Sequence, residues 1–416
     1  MPPAEAGPPE VAGRAALAKG LVFVGAATIV GNGAAFLLTM IAARILTPDQ
    51  FGALGALLGM LVIISTISIA TQALTARRVA VTPLSSRPEV EGEAVRLSVL
   101  VGAVIVGSAL VLAWPLGSIF TIPVVAVATG IASLGFVVVG SASMGVAQGR
   151  EQHLRLSWAF LANQIGRATG GIIGVLVLGS VTGVGIGILV GCAVGAFVAY
   201  RLVCPGAWSQ HVTRGVATEF GHVVHALAVL FTLTNVDVLL ARIFLDGDQS
   251  GEYSVGVLLA KIAFFLPGAI VIVLFPKMTS GDSRRAVYVA TGLTAVVGLV
   301  ITGFSLLFGD LVIRILGGAQ YTELGSEAWL FALEGSAFAL VQVLLYARLA
   351  TQDRTAVVAV WVALVVLVAI VVFWRHDTVV EIVTTVVAVS LVLTAVGLLM
   401  DRRKTPHVPI PVESAE

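Results

Sequence analysis

Charge is the scarcest commodity in this chain. Only 11% of its 416 residues are Asp, Glu, Lys or Arg, against roughly 25% in soluble domains. That shortage excludes a water-soluble fold, because a soluble surface of this size would be sheathed in Lys and Glu. Cysteine is almost absent too: Cys192 and Cys204 offer no disulfide framework and no metal-ligand spacing. There is no P-loop, no G-x-S-x-G elbow, no H-E-x-x-H and no Cys-x-x-Cys pair. These absences argue against ATP-powered transport by this chain and against the common hydrolase chemistries, so the expectation is a protein that is not an enzyme. A net charge of +1 gives no basic field for nucleic acid.

What is abundant is apolar sequence. Hydrophobic residues make up 58% of the chain and the mean hydropathy is +1.03. Apolar runs of about 20 residues fall near 20–43, 52–74, 96–114, 122–147, 158–178, 182–203, 222–244, 254–276, 286–308, 324–347, 356–374 and 380–400. The fold class that follows is an all-α polytopic membrane protein of about twelve transmembrane helices. The 45 glycines suit helices that approach each other closely in a bilayer.

One motif occurs twice. Ala43-Arg44-Ile45 followed by Asp49-Gln50-Phe51-Gly52 returns as Ala241-Arg242-Ile243 followed by Asp248-Gln249-Ser250-Gly251, with one residue added. Each copy joins one apolar run to the next, so each is the turn of a membrane hairpin at the head of its half. A parallel repeat of two six-helix lobes follows. The expected organisation is a disordered cytoplasmic N-terminus over 1–19, an N-lobe over 20–204, a linker over 205–221, a C-lobe over 222–402 and a disordered tail over 403–416. Residues 1–13 have no apolar core and so make no signal peptide.

Basic residues set the orientation. With the N-terminus inside, 18 of the 24 Lys and Arg fall on inner segments. Four fall outside (Arg44, Arg242, Arg314, Arg375), and Arg167 and Lys261 lie within spans. The positive-inside rule then predicts a multi-pass protein of the cytoplasmic membrane with both termini cytoplasmic. Arg77-Arg78 and Arg284-Arg285 read as anchors to anionic membrane lipid.

Polar groups at membrane depth are the candidate functional residues, since a charge there costs at least about 2.5–3.5 kcal/mol. Asp237 and Lys261 are each twelve residues from Gln249, the expected turn centre, so a hairpin puts them at one height. They form either a structural ion pair or a carboxylate responsive to H+ or Na+ with a switchable partner. Arg44 and Arg242 occupy equivalent repeat positions, and either snorkel at helix ends or line a shared vestibule. Arg167, one turn from Asn163 and Gln164, reaches a central cavity or the cytoplasmic interface. Asn32, Gln72, Asn235 and Gln342 are amides that either meet sugar hydroxyls or bond across helices. Glu334 is a second ion-coupling candidate, seven residues after a solvated Glu327. His222 and His225 share a helix face at an interface and suit no metal site.

Beyond these individual readings, the chain resembles a known family. Asn235-Val236-Asp237-Val238-Leu239-Leu240, Gly251-Glu252-Tyr253, Lys261, Leu266-Pro267 and Leu274-Phe275-Pro276-Lys277 look like the seventh-to-eighth-span signature of polysaccharide flippases. The stretch from Ala42 to Gly52 is similar to that family's first hairpin. The family belongs to the multidrug/oligosaccharidyl-lipid/polysaccharide (MOP) superfamily. The resemblance implies a flippase for lipid-linked oligosaccharide or polysaccharide precursors, with two lobes around a basic cavity and alternating access. It implies no cofactor beyond a coupling ion gradient. Its implied partners are a lipid-linked glycan, membrane lipids, and a glycosyltransferase or polymerase of the same pathway. Residues 21–43 carry no charge between Leu21 and Ala43, which disfavours lipid II as substrate and lacks the first-span acid of drug exporters. A MATE-like cation exporter is the alternative, ahead of a polytopic glycosyltransferase or polymerase.

Overall fold

The computed structural model describes residues 9–209, 225, 228–278, 283–350 and 354–403. Every element among them is a helix. The first, α1 (Pro9–Ile45), opens well before the expected boundary at 20. A proline at the first helical position loses no bond the helix could have made, and Glu10, Ala12, Ala15 and Leu17 are compatible with extending it. Helix α2 (Pro48–Ile64) is capped by Thr47, whose hydroxyl accepts from the Gln50 N–H at 3.4 Å, and carries Asp49 in its first turn.

The second expected span is broken in two. Helix α2 stops before Ser65 and α3 (Thr66–Val81) resumes after it. The hydroxyls of Ser65 and Thr66 donate to the carbonyls of Val62 and Ile63 at 2.6 and 2.9 Å. Such back-bonding competes with the helical ladder and bends it.

The chain continues through α4 (Arg87–Ile119), α5 (Val124–Gly149), α6 (His153–Leu178) and α7 (Val181–Val203). A helical segment over 228–233 breaks at 234–235 and restarts as α8 (Val236–Phe244). Then come α9 (Gly247–Met278), α10 (Ser283–Leu316), a 3-10 segment (Ala319–Glu327), α11 (Ala328–Ala350), α12 (Arg354–Phe373) and α13 (Val379–Arg403). Eleven of the twelve expected spans fall on this series, and the described part of 222–244 falls on the segment over 228–233 and α8. Among the described residues nine stretches are long and apolar enough to cross a bilayer, and Val357–Phe373 is a shorter apolar helix. The two other expected spans, 222–244 and 254–276, run partly outside the residues whose side chains are described.

The chain divides into two compact units. The first is Met1–Leu258 with Ile313–Glu323 and Asp377–Val379; the second is Leu259–Val312, Leu324–His376 and Val380–Glu416. In the first unit α5 lies at the centre, packed by α3, α4 and α7. Its Ile131, Leu134 and Val138 are buried. Helices α6 and α7 meet backbone to backbone, with Gly166, Gly170 and Gly174 opposite Gly191, Gly187 and Gly183. Any side chain at these positions would push the helices apart, which is why small residues are placed there. The outer face of α4 is apolar and open: Val104, Leu110, Val111 and Trp114 are each more than 70% exposed. Water would not tolerate so continuous an apolar face, whereas lipid requires it.

In the second unit α10 and α11 run antiparallel. A Cβ built on Gly298 falls 2.7 Å from that of Ser336, and one on Gly309 falls 3.3 Å from that of Ala328.

Candidate functional site

The two hairpin turns of the repeat touch each other within the first unit. A Cβ on Gly52 would lie 2.5 Å from Ser250 Oγ, and one on Gly251 would run into the Pro48 carbonyl. These repeat-equivalent glycines let the start of α2 and the start of α9 meet at backbone distance. Along the same face of α2, Gly55 and Gly59 admit Ser254 and Val238.

The repeat arginines close this contact. Arg242 is 7% exposed. Its Nε donates to the Phe120 carbonyl at 3.0 Å and its Nη2 to the Thr121 carbonyl at 3.0 Å. Its Nη1 donates to Asp49, to Oδ1 at 2.7 Å and to the carbonyl at 3.2 Å. Arg44 donates from Nη1 to the Met40 carbonyl at 2.9 Å and from Nη2 to the Ile315 carbonyl at 2.5 Å. Beside it Gln320 donates to the Ala43 carbonyl at 2.6 Å. The pattern is reciprocal. Arg44 of the first span caps the end of the ninth, and Arg242 of the seventh span caps the end of the third. Both place a cation on carbonyls left over at a helix C-terminus, where the helix dipole favours it. Of the two arginines read as snorkelling or lining a shared vestibule, Arg242 is a buried clamp and Arg44 is exposed and bonded to backbone.

At the other end of the first unit, sequence reading missed two pairs. Glu91 and Glu93 near the start of α4 are 2% and 5% exposed. Arg150 grips Glu91 with two parallel N–H donors, Nε to Oε1 at 2.6 Å and Nη2 to Oε2, and gives a third bond to the Val203 carbonyl at 3.2 Å. Arg78 pairs with Glu93 at 2.7 Å. These bonds tie α3, α4, α5 and α7 into one block. The available signal was two carboxylates inside an apolar-periodic helix start, opposite arginines at the ends of α3 and α5. Gln72, read as either a sugar ligand or an amide that bonds across helices, donates to the side chain of Gln148 on α5 at 3.0 Å.

The seventh-span polar residues gather where the helix breaks. Asn235 precedes the first residue of α8 without a side-chain capping bond, and its Nδ2 donates back to the Phe231 carbonyl at 3.0 Å and to Thr234 Oγ1 at 3.2 Å. Asp237 sits in the first turn of α8 and is 1% exposed, at the helix end that favours a carboxylate. Tyr253 donates to its Oδ2 at 3.2 Å. The hairpin turns at Leu245–Asp246 rather than around Gln249, because α9 already begins at Gly247. The residue level with Asp237 is thus Tyr253, and Lys261 stands eight residues farther along α9, about 12 Å at 1.5 Å per residue. The equal-height expectation for Asp237 and Lys261 is corrected accordingly. Lys261 is half-buried and Glu334, on α11, is 1% exposed.

Arg167 differs from every arginine above. It lies near the middle of α6, half-buried, and among the described residues no ion pair or hydrogen bond ends on it. It is close enough to Cys192 on α7 to act on that thiol electrostatically. One turn earlier Asn163 is 5% exposed, and its Oδ1 accepts no hydrogen bond among the described residues. A guanidinium and an amide on one helix face can hold an oxyanion and a hydroxyl of the same ligand.

His225 is exposed, while His222 lies outside the described residues. No group of three His, Cys, Asp or Glu among the described residues could hold a metal.

A family model described as polysaccharide biosynthesis protein matches residues 17–282. The chain belongs to that family. As a polysaccharide biosynthesis family member it carries the motif-bearing first and seventh spans inside the matched region. No curated protein sequence matches the chain significantly. Solved structures resemble it in fold. The lipid II flippase MurJ in an inward closed conformation superposes with a TM-score of 0.78 at 11% identity, over 92% of this chain and 87% of that one. An inward-facing MATE multidrug resistance transporter of the MOP superfamily gives 0.73 at 13% identity, over 88% and 93%. A MOP superfamily transporter from Pyrococcus furiosus gives 0.64 at 14%, over 92% and 95%. The fold is the all-α MOP transporter fold, in a multi-pass membrane protein. Family and fold together support a MOP-type transporter.

Proposed function

We propose that this chain flips a lipid-linked oligosaccharide or polysaccharide precursor across the bacterial cytoplasmic membrane by alternating access, for synthesis of a cell-surface polysaccharide. Family membership supports the pathway. The observation that carries the substrate class is Arg167, a half-buried cation at mid-span with no protein anion among its described contacts. A membrane protein retains such a group at a cost of a few kcal/mol when function uses it. A phosphate-linked glycan supplies what Arg167 lacks, and Asn163 one turn away offers its Oδ1 to a sugar hydroxyl. A headgroup of this kind cannot cross ~30 Å of hydrocarbon unaided.

In this reading both termini face the cytoplasm, the clamped hairpin turns face outside, and Asp237 and Glu334 are the carboxylates through which an H+ or Na+ gradient acts. Glycosyltransferases or a polymerase of the pathway are its working partners. Lipid transport needs no chemistry from the chain itself.

Depletion of the protein, followed by a membrane-impermeant probe of glycan sidedness, tests the proposal. Lipid-linked glycan trapped on the cytoplasmic leaflet, rescued by wild type but not by Arg167→Ala, is the expected result. The reading is lost if glycan levels and sidedness stay normal. Build-up of toxic cations in that case points to the exporter that the MATE-like fold keeps as the second reading.

A further inference from the structure

The second unit holds two opposite charges at mid-span. Lys261 is the fifteenth residue of the 32-residue α9. Glu334 is the sixteenth of the apolar stretch Ala319–Leu345. Every other Asp, Glu, Lys or Arg of this unit's helices sits nearer a span end, where water or headgroups reach it.

The helix geometry brings the two together. A Cβ on Gly335 would run into the carbonyl of Ala260, so α11 and α9 touch backbone to backbone at these two residues. The helices are parallel, because α9 and α10 are joined across four residues and α10 runs antiparallel to α11. One residue turns a helix by about 100°. Stepping forward from Ala260 to Lys261 and back from Gly335 to Glu334 turns both side chains to the same flank of the contact. Two steps of 1.5 Å leave their Cα atoms about 3 Å apart in height. The side chains of a Lys and a Glu span such a gap easily. Glu334 is 1% exposed, and a carboxylate that is ionised at this depth is stabilised by a neighbouring cation.

We propose that Lys261 and Glu334 form an ion pair within the second unit, and that this pair is an exchange position for a phosphate group, which binds Lys261 by displacing Glu334. The proposal rests on the reading of the chain as a carrier of phosphate-bearing lipid-linked glycan. Glu334 then holds the place of the substrate anion while the site is empty. It keeps the ammonium neutralised in hydrocarbon and makes anion affinity depend on how strongly the carboxylate competes. Tyr288 stands only six residues into the 34-residue α10, and α10, α12 and α13 bring no charge to mid-span.

The test uses the full chain in lipid nanodiscs, with farnesyl diphosphate as probe and farnesol as control for tail binding. Wild type, Lys261→Met, Glu334→Gln and the double variant are compared by thermal melting and by probe affinity. We expect the double variant to melt well above the value that additive single losses give. We also expect Glu334→Gln to bind the diphosphate about tenfold tighter than wild type, a 1.4 kcal/mol change, and Lys261→Met to lose that binding. Additive melting effects, with affinity unchanged in Glu334→Gln, overturn the pair and leave the flippase reading standing. Melting coupling with no diphosphate bound by any form, wild type included, overturns the exchange role together with the flippase reading.

Discussion

The two hairpins of the repeat carry the same short motif and handle its arginine differently. Arg44 lies exposed at the end of α1 and holds two backbone carbonyls. Arg242 is buried and makes four hydrogen bonds, one of them to the carboxylate of Asp49. The repeat determined where each guanidinium starts and that each ends on the helix terminus of the other half. The extra residue in the second copy, and Leu245-Asp246 in place of Thr47-Pro48, altered what surrounds it. Equivalence in sequence therefore predicts equivalent topology and unequal energetics.

The strongest way to break this comparison is at the contact between the hairpins. Gly251→Ala forces a Cβ onto the Pro48 carbonyl, and the backbone must shift. We expect a loss of about 3 kcal/mol, at the upper end for overpacking, read as a lower melting temperature and a faster unfolding rate in nanodiscs. Arg242→Ala comes next. It strips the part-buried carbonyls of Phe120 and Thr121 and the Asp49 carboxylate of their charged donor, so the expected cost is about 2 kcal/mol. Arg44→Ala removes a more exposed cap and should cost about 0.5–1 kcal/mol; a loss as large as that of Arg242→Ala would erase the claimed inequality. Gly33→Ala is the internal control. Nothing lies within 4 Å of its Cβ position, so melting should stay level or rise by up to about 1 kcal/mol.

A second contrast separates Arg242 from Arg167. Arg167→Ala should leave melting within about 0.5 kcal/mol of wild type while abolishing rescue of glycan flipping. Arg242→Ala should reduce both together. If Arg167→Ala unfolds the protein instead, the residue is a structural group and the case for an anion site on α6 falls.

Much of the candidate site was legible residue by residue. Arg167, Asn235, Asp237, Lys261 and Glu334 stand out because a polar atom in an apolar run is conspicuous without any coordinates. Their partners were not legible. Asp237 and Lys261 looked level because the turn centre was taken from the motif at Gln249. The true turn lies at Leu245–Asp246, a shift of only a few residues that moves Lys261 two helical turns away. Glu91 and Glu93 went unremarked because they sit where a span begins and charges are ordinary; burial against Arg150 and Arg78 made them structural.

The sequence by itself determined that lipid is the solvent, that the chain crosses it about twelve times, and that one hairpin was used twice. Hydropathy and spacing carry that information along the chain, since a membrane demands long apolar helices whatever packs beside them. Tertiary structure alone decided which cations are consumed in holding helix ends together and which stay available to a ligand. That division depends on glycine contacts and on the few ångströms between a guanidinium and its acceptor, and neither distance is written in the order of residues.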